Sequence, residues 1–270
     1  MATSNPAFSN SPAFTQSASK AVQFSQTPSA EQLDELYGRP AATAEQTDRM
    51  TYENTIQKIV GSFAVLLAGA AVGWFVPLLA IPAAIAAFVI SLILIFKKKP
   101  SAPLTLAYAA LEGIFVGGIS AIFESQLDGI VGQAVIGTMV VVGVVLVLFR
   151  SGKIRASKRA TKVFLVAMIG YGVFSLINLG LMVFGGTDGD FGLRSAPSPL
   201  FGIPWGVLIG IFVILLASYS LVLDFDSIQQ GVRRGAPAAF GWTAAFGIMV
   251  TVVWLYVEIL RLLAILRGGE

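Results

Sequence analysis

The sequence predicts an all-α polytopic membrane protein, a bundle of seven transmembrane helices with its N-terminus in the cytoplasm. Hydrophobic residues make up 56% of the chain and charged residues 12%, whereas a typical soluble domain has roughly 25% charged residues. Seven apolar stretches are each near the length of about 20 residues that a helix needs to cross the bilayer core. Basic residues are concentrated in alternate loops between these stretches, as in multi-pass membrane proteins.

The first two stretches are the least clearly separated. One helix from Ile59 to Phe96 would be about 57 Å long at 1.5 Å per residue, well beyond the bilayer core. Gly73, Pro77 and Pro82 favour a break, so the sequence predicts a tight helical hairpin here. The seven spans are predicted near Gln57–Phe75, Pro77–Phe96, Pro103–Phe123, Ile130–Phe149, Val163–Phe184, Ile203–Asp226 and Phe240–Leu266.

The distribution of positive charge predicts the orientation. No basic residue follows the first or the third span, and Arg194 stands alone after the fifth. The remaining loops carry many basic residues. Because cytoplasmic loops are the ones enriched in Lys and Arg, these loops are expected in the cytoplasm. The C-terminus is therefore expected on the extracytoplasmic side. The basic residues are Arg49 and Lys58 around the start of the first span, Lys97, Lys98 and Lys99 after the second, Arg150, Lys153, Arg155, Lys158, Arg159 and Lys162 after the fourth, and Arg233 and Arg234 after the sixth.

The chain divides into a tail, residues 1–50, and a seven-helix domain, residues 51–270. The tail is rich in Ser, Ala, Thr, Gln and Pro and contains a short repeat, Asn5–Phe8 and Ser11–Phe14. Such a composition buries too little apolar surface to offset the entropy of ordering, which predicts a disordered cytoplasmic segment. The repeat is either a docking motif for a partner or simple low complexity.

The chain has neither cysteine nor histidine. Disulfides and cysteine nucleophiles are thereby excluded, as is a hydrolase with histidine-bound zinc. The last lysine is Lys162, so the final span cannot carry retinal, and no Ser–Lys pair lies at matching depth for proteolysis. We therefore expect no enzymatic activity, no cofactor and no nucleic-acid partner, and the lipid bilayer as the main surrounding.

Pairs of glycines four residues apart recur within the spans. In lipid, small residues at this spacing let two helices approach closely, so packing of the bundle is the favoured interpretation, with gating as the alternative. The pairs are Gly69 and Gly73, Gly113 and Gly117, and Gly206 and Gly210.

Four acids lie within or at the edge of the spans, where a charge is costly unless it is paired or used. Asp224 and Asp226 close the sixth span. Because they are two residues apart on a helix, their side chains point about 200° away from each other, and the deeper Asp224 is the better candidate for the interior. The alternative is a pair of ordinary helix-end acids bound to Arg233 or Arg234.

The other two acids are Glu112 and Glu258. Glu112 lies nine residues into the third span and is either a neutral or paired structural acid, or a ligand for an ion or proton. Glu258 and Arg261 are three residues apart on one helix face, which favours an ion pair within the helix. If Arg261 points elsewhere, Glu258 is free to line a pore.

Several short motifs resemble one membrane-protein family. They are Leu223–Ile228 around Asp224, the final span ending Leu255–Leu266, and the segments Asn5–Phe8 and Met50–Glu53. Over residues 50–267 the chain resembles the Bax inhibitor (transmembrane Bax-inhibitor-motif) family, in an actinobacterial-type branch. The resemblance implies a multi-pass protein of a bacterial inner (plasma) membrane.

The resemblance also implies a pH-sensitive calcium leak channel, closed by a hydrogen-bonded pair of aspartates on spans six and seven. Asp224 matches the first position. The second aspartate position falls near Thr251 if the Leu-Leu-x-x-Ile-Leu pattern is aligned with the family, and on Glu258 if the segment Leu255–Glu258 is aligned instead. Glu112 is a further candidate partner of Asp224, because it lies at a suitable depth in the membrane. Asp224 and Glu112 would bind Ca²⁺ weakly and transiently, because Ca²⁺ prefers six to eight oxygen ligands.

The expected mechanism is a cation leak gated by two coupled carboxylic acids that share a proton. Since histidine is absent, any response between about pH 5 and 8 must come from such acids. The alternative is a regulatory protein, because some relatives resemble modulators of a membrane AAA protease. The tail would then bind that protease or another protein partner.

Overall fold

The computed structural model describes residues 48–186, 191–199 and 202–268, which fold into seven long α-helices without β-strands. Each helix is long and apolar enough to cross a bilayer. The prediction of an all-α, seven-helix membrane protein is therefore confirmed. The helices are α1 (Tyr52–Phe75), α2 (Ala80–Phe96), α3 (Ala102–Gln126), α4 (Ile130–Arg150), α5 (Lys158–Val183), α6 (Trp205–Arg233) and α7 (Phe240–Arg267), with short 3₁₀ turns at Pro77–Leu79 and Gly192–Ser195.

The hairpin between the first two spans forms where the sequence predicts it. Val76 leaves the helical conformation with φ −132°, and Pro77 starts the 3₁₀ turn that leads into α2. Pro82 lies in the first turn of α2, where a proline is tolerated because the missing N–H has no helical acceptor. The break therefore depends on Pro77 rather than on Pro82.

Several helices, among them α1, α5 and α6, extend beyond the predicted spans. The first helix begins at Tyr52 because the Thr51 side chain caps it, accepting a hydrogen bond from the Asn54 N–H at 3.1 Å. Likewise, α6 continues to Arg233, about two turns past Asp226. Counting apolar residues finds the part of a helix that lies in lipid, whereas the helix itself continues into polar sequence.

Close backbone contact between α1 and α3 depends on the predicted glycine pairs. A Cβ on Gly73 would overlap the carbonyl oxygen of Ile114, and a Cβ on Gly117 would overlap that of Ala70. The other glycine of each pair meets the backbone of the opposite helix in the same way. The packing interpretation of these two pairs is confirmed.

Helix α7 lies at the centre of the bundle and packs on α1, α3, α4 and α6. In its most apolar 18-residue segment 61% of the residues are buried, against 11% in α5. Gly206 and Gly210 of α6 make room for the side chains of Ile265 and Leu262 of α7. The last helix of the chain is thus its core, and α5 presents most of its apolar side chains outward, to lipid.

The helix ends alternate between two ends of the bundle. One end, here called the basic end, carries Lys97, Lys98 and Lys99, Arg150 and Arg233; it also holds the starts of α1, α3, α5 and α7. The opposite end, the far end, carries the loop after α3, the loop after α5 and the end of α7, where Arg267 donates to the Asp128 carbonyl. This is the alternation that the basic loops predict, and the cytoplasmic location of the basic end stays a prediction.

A short backbone pairing ties the start of α1 to the loop between α6 and α7. The Met50 N–H donates to the Ala236 carbonyl at 2.7 Å, and the Ala238 N–H donates to the Asp48 carbonyl at 2.8 Å. Lys58 of α1 also donates to the Ala238 carbonyl at 2.5 Å. Of the predicted disordered tail, residues 1–47 lie outside the described residues, and residues 48–50 form this pairing.

The α1–α3 contact predicts that Gly117→Leu destabilises the bundle by about 1–3 kcal/mol or more, because the added side chain forces two backbones apart. The free energy of unfolding in mixed micelles, measured by titration with dodecyl sulfate, tests this. Gly170→Leu is the matched control, since nothing lies within 4 Å of a Cβ at Gly170. Equal stability of the two variants would contradict the assigned role of Gly117.

Candidate functional site

Asp224 makes a hydrogen bond between α6 and α7 near the basic end. Its Oδ2 accepts from the Thr251 hydroxyl at 2.7 Å, and the Ser220 hydroxyl lies 3.4 Å from that of Thr251. Thr251 is buried, with 5% of its surface exposed. We call these three residues the α6–α7 latch.

Helical spacing places the latch residues opposite one another. Ser220 is one turn before Asp224 on α6, and Gly247 is one turn before Thr251 on α7. Gly247 faces the acid, because a Cβ there would lie 3.5 Å from Asp224 Oδ1, which is an ordinary van der Waals contact. The carboxylate is therefore held between a hydroxyl donor and a glycine of the same neighbouring helix.

An open cleft at the basic end reaches Asp224. The cleft has a volume of about 500 Å³, and Asp224 and Thr105 form part of its wall. Three consecutive lysines at its mouth, Lys97, Lys98 and Lys99, are exposed. Met50, from the backbone pairing before α1, also lines it. An ion entering from the basic end would thus meet positive charge first and the Asp224 carboxylate second.

Asp226 takes no part in the latch. It accepts from the Gln230 side chain at 2.5 Å, and Gln230 in turn accepts from Arg234 at 3.0 Å. These three residues follow each other at one-turn intervals along the outside of α6. The predicted divergence of Asp224 and Asp226 is confirmed. The alternative of a direct pair with Arg233 or Arg234 is not found among the described residues, because Gln230 lies between Asp226 and Arg234.

Glu112 lies on α3 one helical turn after Tyr108, and its carboxyl group is near the Tyr108 hydroxyl. The Tyr108 ring packs edge-on against Phe246 of α7, with ring centroids 4.9 Å apart. Within the described residues, no hydrogen bond or ion pair joins Glu112 to Asp224. Of the three predicted partners of Asp224, the structure brings Thr251 into contact.

Glu258 lies on α7 seven residues after Thr251, about 10 Å further toward the far end. It is 1% exposed and forms ion pairs with Arg194, at 3.1 Å, and with Arg261. The Tyr171 hydroxyl donates to it at 2.9 Å. The predicted Glu258–Arg261 pair is confirmed, and Glu258 belongs to a polar cluster separate from the latch.

Arg194 is the site residue that sequence reasoning missed. It lies in the 3₁₀ turn after α5 and is 3% exposed, with its guanidinium over the rings of Tyr171 and Phe174 at 5.4 and 5.5 Å. Asn178 of α5 holds the turn in place, accepting from the Leu193 N–H at 2.7 Å. The sequence does hold one indication of this role. Arg194 is a lone arginine in a loop without other basic residues, and Glu258 lies toward the same side of the membrane.

The described residues contain no cluster of three or more acidic or other metal-binding side chains. Two separated carboxylates are far from the six to eight oxygens that Ca²⁺ prefers. The weak, transient binding of Ca²⁺ by Asp224 and Glu112 stays a prediction.

Comparison with known proteins adds one finding to this geometry. A family model described as Bax inhibitor 1 like matches residues 5–268, nearly the whole chain. No curated protein matches the chain. The match confirms the resemblance noted from the motifs and extends it from residue 50 back to residue 5.

The far-end cluster predicts a large stability loss for Glu258→Gln. Removing this carboxylate leaves the buried Arg194 and the partly exposed Arg261 without their acid, and breaking a buried pair such as Arg194–Glu258 costs about 3–5 kcal/mol. Unfolding in mixed micelles measures the loss. Asp226→Asn, the same kind of change on the outside of α6, is the control and should stay within about 0.5 kcal/mol of the wild type. A Glu258→Gln protein as stable as this control would show that the cluster is not needed for the fold.

Proposed function

Because the chain belongs to the Bax inhibitor 1-like family, we propose that it is a pH-sensitive calcium (cation) leak channel. It works in a bacterial inner (plasma) membrane with its basic end in the cytoplasm, where positively charged loops are retained. The family is not a known enzyme family, and the proposed function involves no catalysis. The observation that carries the proposal is the Asp224 carboxylate, which lies at the wall of an open cleft and is held by one hydroxyl of the next helix.

The conduction path begins in this cleft and is closed beyond the latch. Further into the bundle, Leu221 and Leu255 are fully buried in the main apolar cluster. An ion can pass only if α6 and α7 separate at this level. The Asp224–Thr251 hydrogen bond joins those two helices, and its rupture is the proposed opening step.

Asp224 provides the proposed pH response. The Thr251 hydroxyl is a sufficient partner for a neutral carboxylic acid, whereas proton loss creates a negative group that one hydroxyl cannot solvate and that draws water and Ca²⁺ between α6 and α7. The leak therefore rises as the pH rises and falls as the pH falls. Glu112, seven residues beyond the cleft-lining Thr105 on α3, is the proposed second ligand, deeper along the path.

The three lysines at the mouth support a slow leak rather than rapid conduction. Their positive charge lowers the local concentration of cations at the entrance. Ca²⁺ then encounters one carboxylate instead of a full oxygen cage, so binding is brief. Both features limit the rate at which Ca²⁺ passes through the open channel.

Asp224→Asn should abolish the pH dependence of Ca²⁺ entry, because the amide cannot lose a proton between about pH 5 and 8. The measurement uses purified protein in liposomes loaded with a calcium dye. Asp226→Asn is the matched control and should keep the wild-type pH profile. An unchanged profile in Asp224→Asn would remove this residue from the gate.

Thr251→Val should raise Ca²⁺ entry at low pH, where a neutral Asp224 keeps the latch closed, by up to about tenfold, since a hydrogen bond between neutral groups contributes about 0.5–1.5 kcal/mol. The shape of the side chain is kept and only the donor is lost. Thr251→Ser should restore a low leak, and Thr243→Val, another cleft-lining threonine, should leave it unchanged. A Thr251→Val channel that stays closed would argue against the latch.

A regulatory function is the second candidate, and one observation favours it. The family match includes residues 5–47, ahead of the first helix. Since residues 48–50 pair with the α6–α7 loop and Met50 lines the Asp224 cleft, a protein bound to the tail would act next to the latch. Such a partner would be a membrane AAA protease or another membrane protein.

Deletion of residues 2–47 separates the two functions. A channel should keep its Ca²⁺ leak in liposomes, because the helices and the latch remain. A regulator should lose its partner in a pull-down from bacterial membranes. Loss of the leak with an intact fold would show that the tail is part of the channel.

A further inference from the structure

Two arginines share one acid at the far end. Arg194 and Arg261 both form ion pairs with Glu258, and both donate from Nη2 to the Tyr171 hydroxyl at 3.0 Å. With Tyr171 as a phenol that donates its hydroxyl proton to Glu258, the described residues of this cluster hold two positive charges and one negative charge. An uncompensated charge away from water is costly, which favours a second anion at this position.

Arg261 also has a donor without an acceptor. All of its hydrogen bonds use Nη2, and its buried Nε has no partner among the described residues. Buried nitrogens of this kind are rare and require an explanation. A guanidinium group binds a carboxylate best through two parallel N–H groups. The protein itself therefore leaves one donor of the Arg261 guanidinium group unused.

A cavity of about 210 Å³ lies directly against both arginines. Its polar corner consists of Arg194, Arg261 and Asn178, and its other walls are apolar. Among those walls, Phe123 and Phe191 stack with ring centroids 6.3 Å apart. The volume equals about seven water molecules at roughly 30 Å³ each. The space suits a charged group of benzoate size with an apolar body.

We propose that this cavity is a binding site for a small organic carboxylate, with Arg261 and Arg194 as its anion-binding groups. The apolar walls distinguish such a ligand from inorganic anions, which would leave those walls in contact with water. The site lies at the opposite end of the bundle from the latch and does not depend on the proposed channel function.

The experiment uses the full chain in detergent micelles, with benzoate as the probe. Benzoate should raise the unfolding temperature in a concentration-dependent manner, because a ligand that binds the folded state stabilises it. Benzyl alcohol, of similar shape but neutral, should not. Inorganic phosphate at the same ionic strength distinguishes a carboxylate site from a general anion site. No effect of benzoate, or an equal effect of either of the other probes, would overturn the proposal.

Two variants test whether benzoate binds in this cavity. Arg261→Gln should weaken benzoate binding by about tenfold or more, since a charge-assisted pair is lost. Met182→Trp should also weaken it by filling the cavity while both arginines remain, so a folding defect of one variant does not decide the test. Arg267→Gln, an arginine one and a half turns further along α7, is the control. Unchanged affinity in Arg261→Gln and Met182→Trp would overturn the site.

Asp188 and Asp190 precede the 3₁₀ turn that carries Arg194, and they lie outside the described residues. Because they are acids close in sequence to Arg194, they are tested as variants. The double variant Asp188→Asn and Asp190→Asn should bind benzoate with an affinity close to the wild type. Binding that appears only in the double variant would show that the chain's own acids occupy the arginines. That result would overturn the proposed ligand site.

Discussion

Polar groups inside a bilayer have no water to bind, so each must find its partner within the protein. In this bundle α7 supplies those partners on several sides. Thr251 binds Asp224 of α6, Glu258 binds Arg194 of the α5–α6 loop, and the Tyr256 hydroxyl lies 2.6 Å from that of Ser120 on α3. Contacts at different depths fix both the rotation and the height of α7. The apolar core can then form around a helix whose position is already specified.

Much of the fold could be predicted because its signals are local. The number of helices follows from the lengths of apolar stretches, and the break at Pro77 follows from a proline between two of them. The Glu258–Arg261 pair depends only on a spacing of three residues on one helix. Glycines at four-residue spacing predicted close helix packing, and the structure identifies α1 and α3 as the two helices that these glycines bring together.

The candidate site was harder to predict because it depends on how one helix lies against another. Asp224 had three plausible partners on two helices, and only the axial offset between α6 and α7 selects Thr251. A sequence does not specify that offset, because it depends on how the loop of residues 234–239 folds back between the two helices. Arg194 was missed for a similar reason. Its burial depends on Asn178 in a different helix, which draws the loop into the bundle.

The central position of α7 has a consequence for biosynthesis, because this helix is made after the other six. Chains are made and inserted from the N-terminus, so the six earlier helices are synthesised before the helix on which they pack. During that interval Asp224 lacks Thr251, and Arg194 lacks Glu258. Unpaired charges in a membrane are unfavourable, so the six-helix intermediate is less stable than the finished bundle. Arrival of the seventh helix completes both polar clusters in one step.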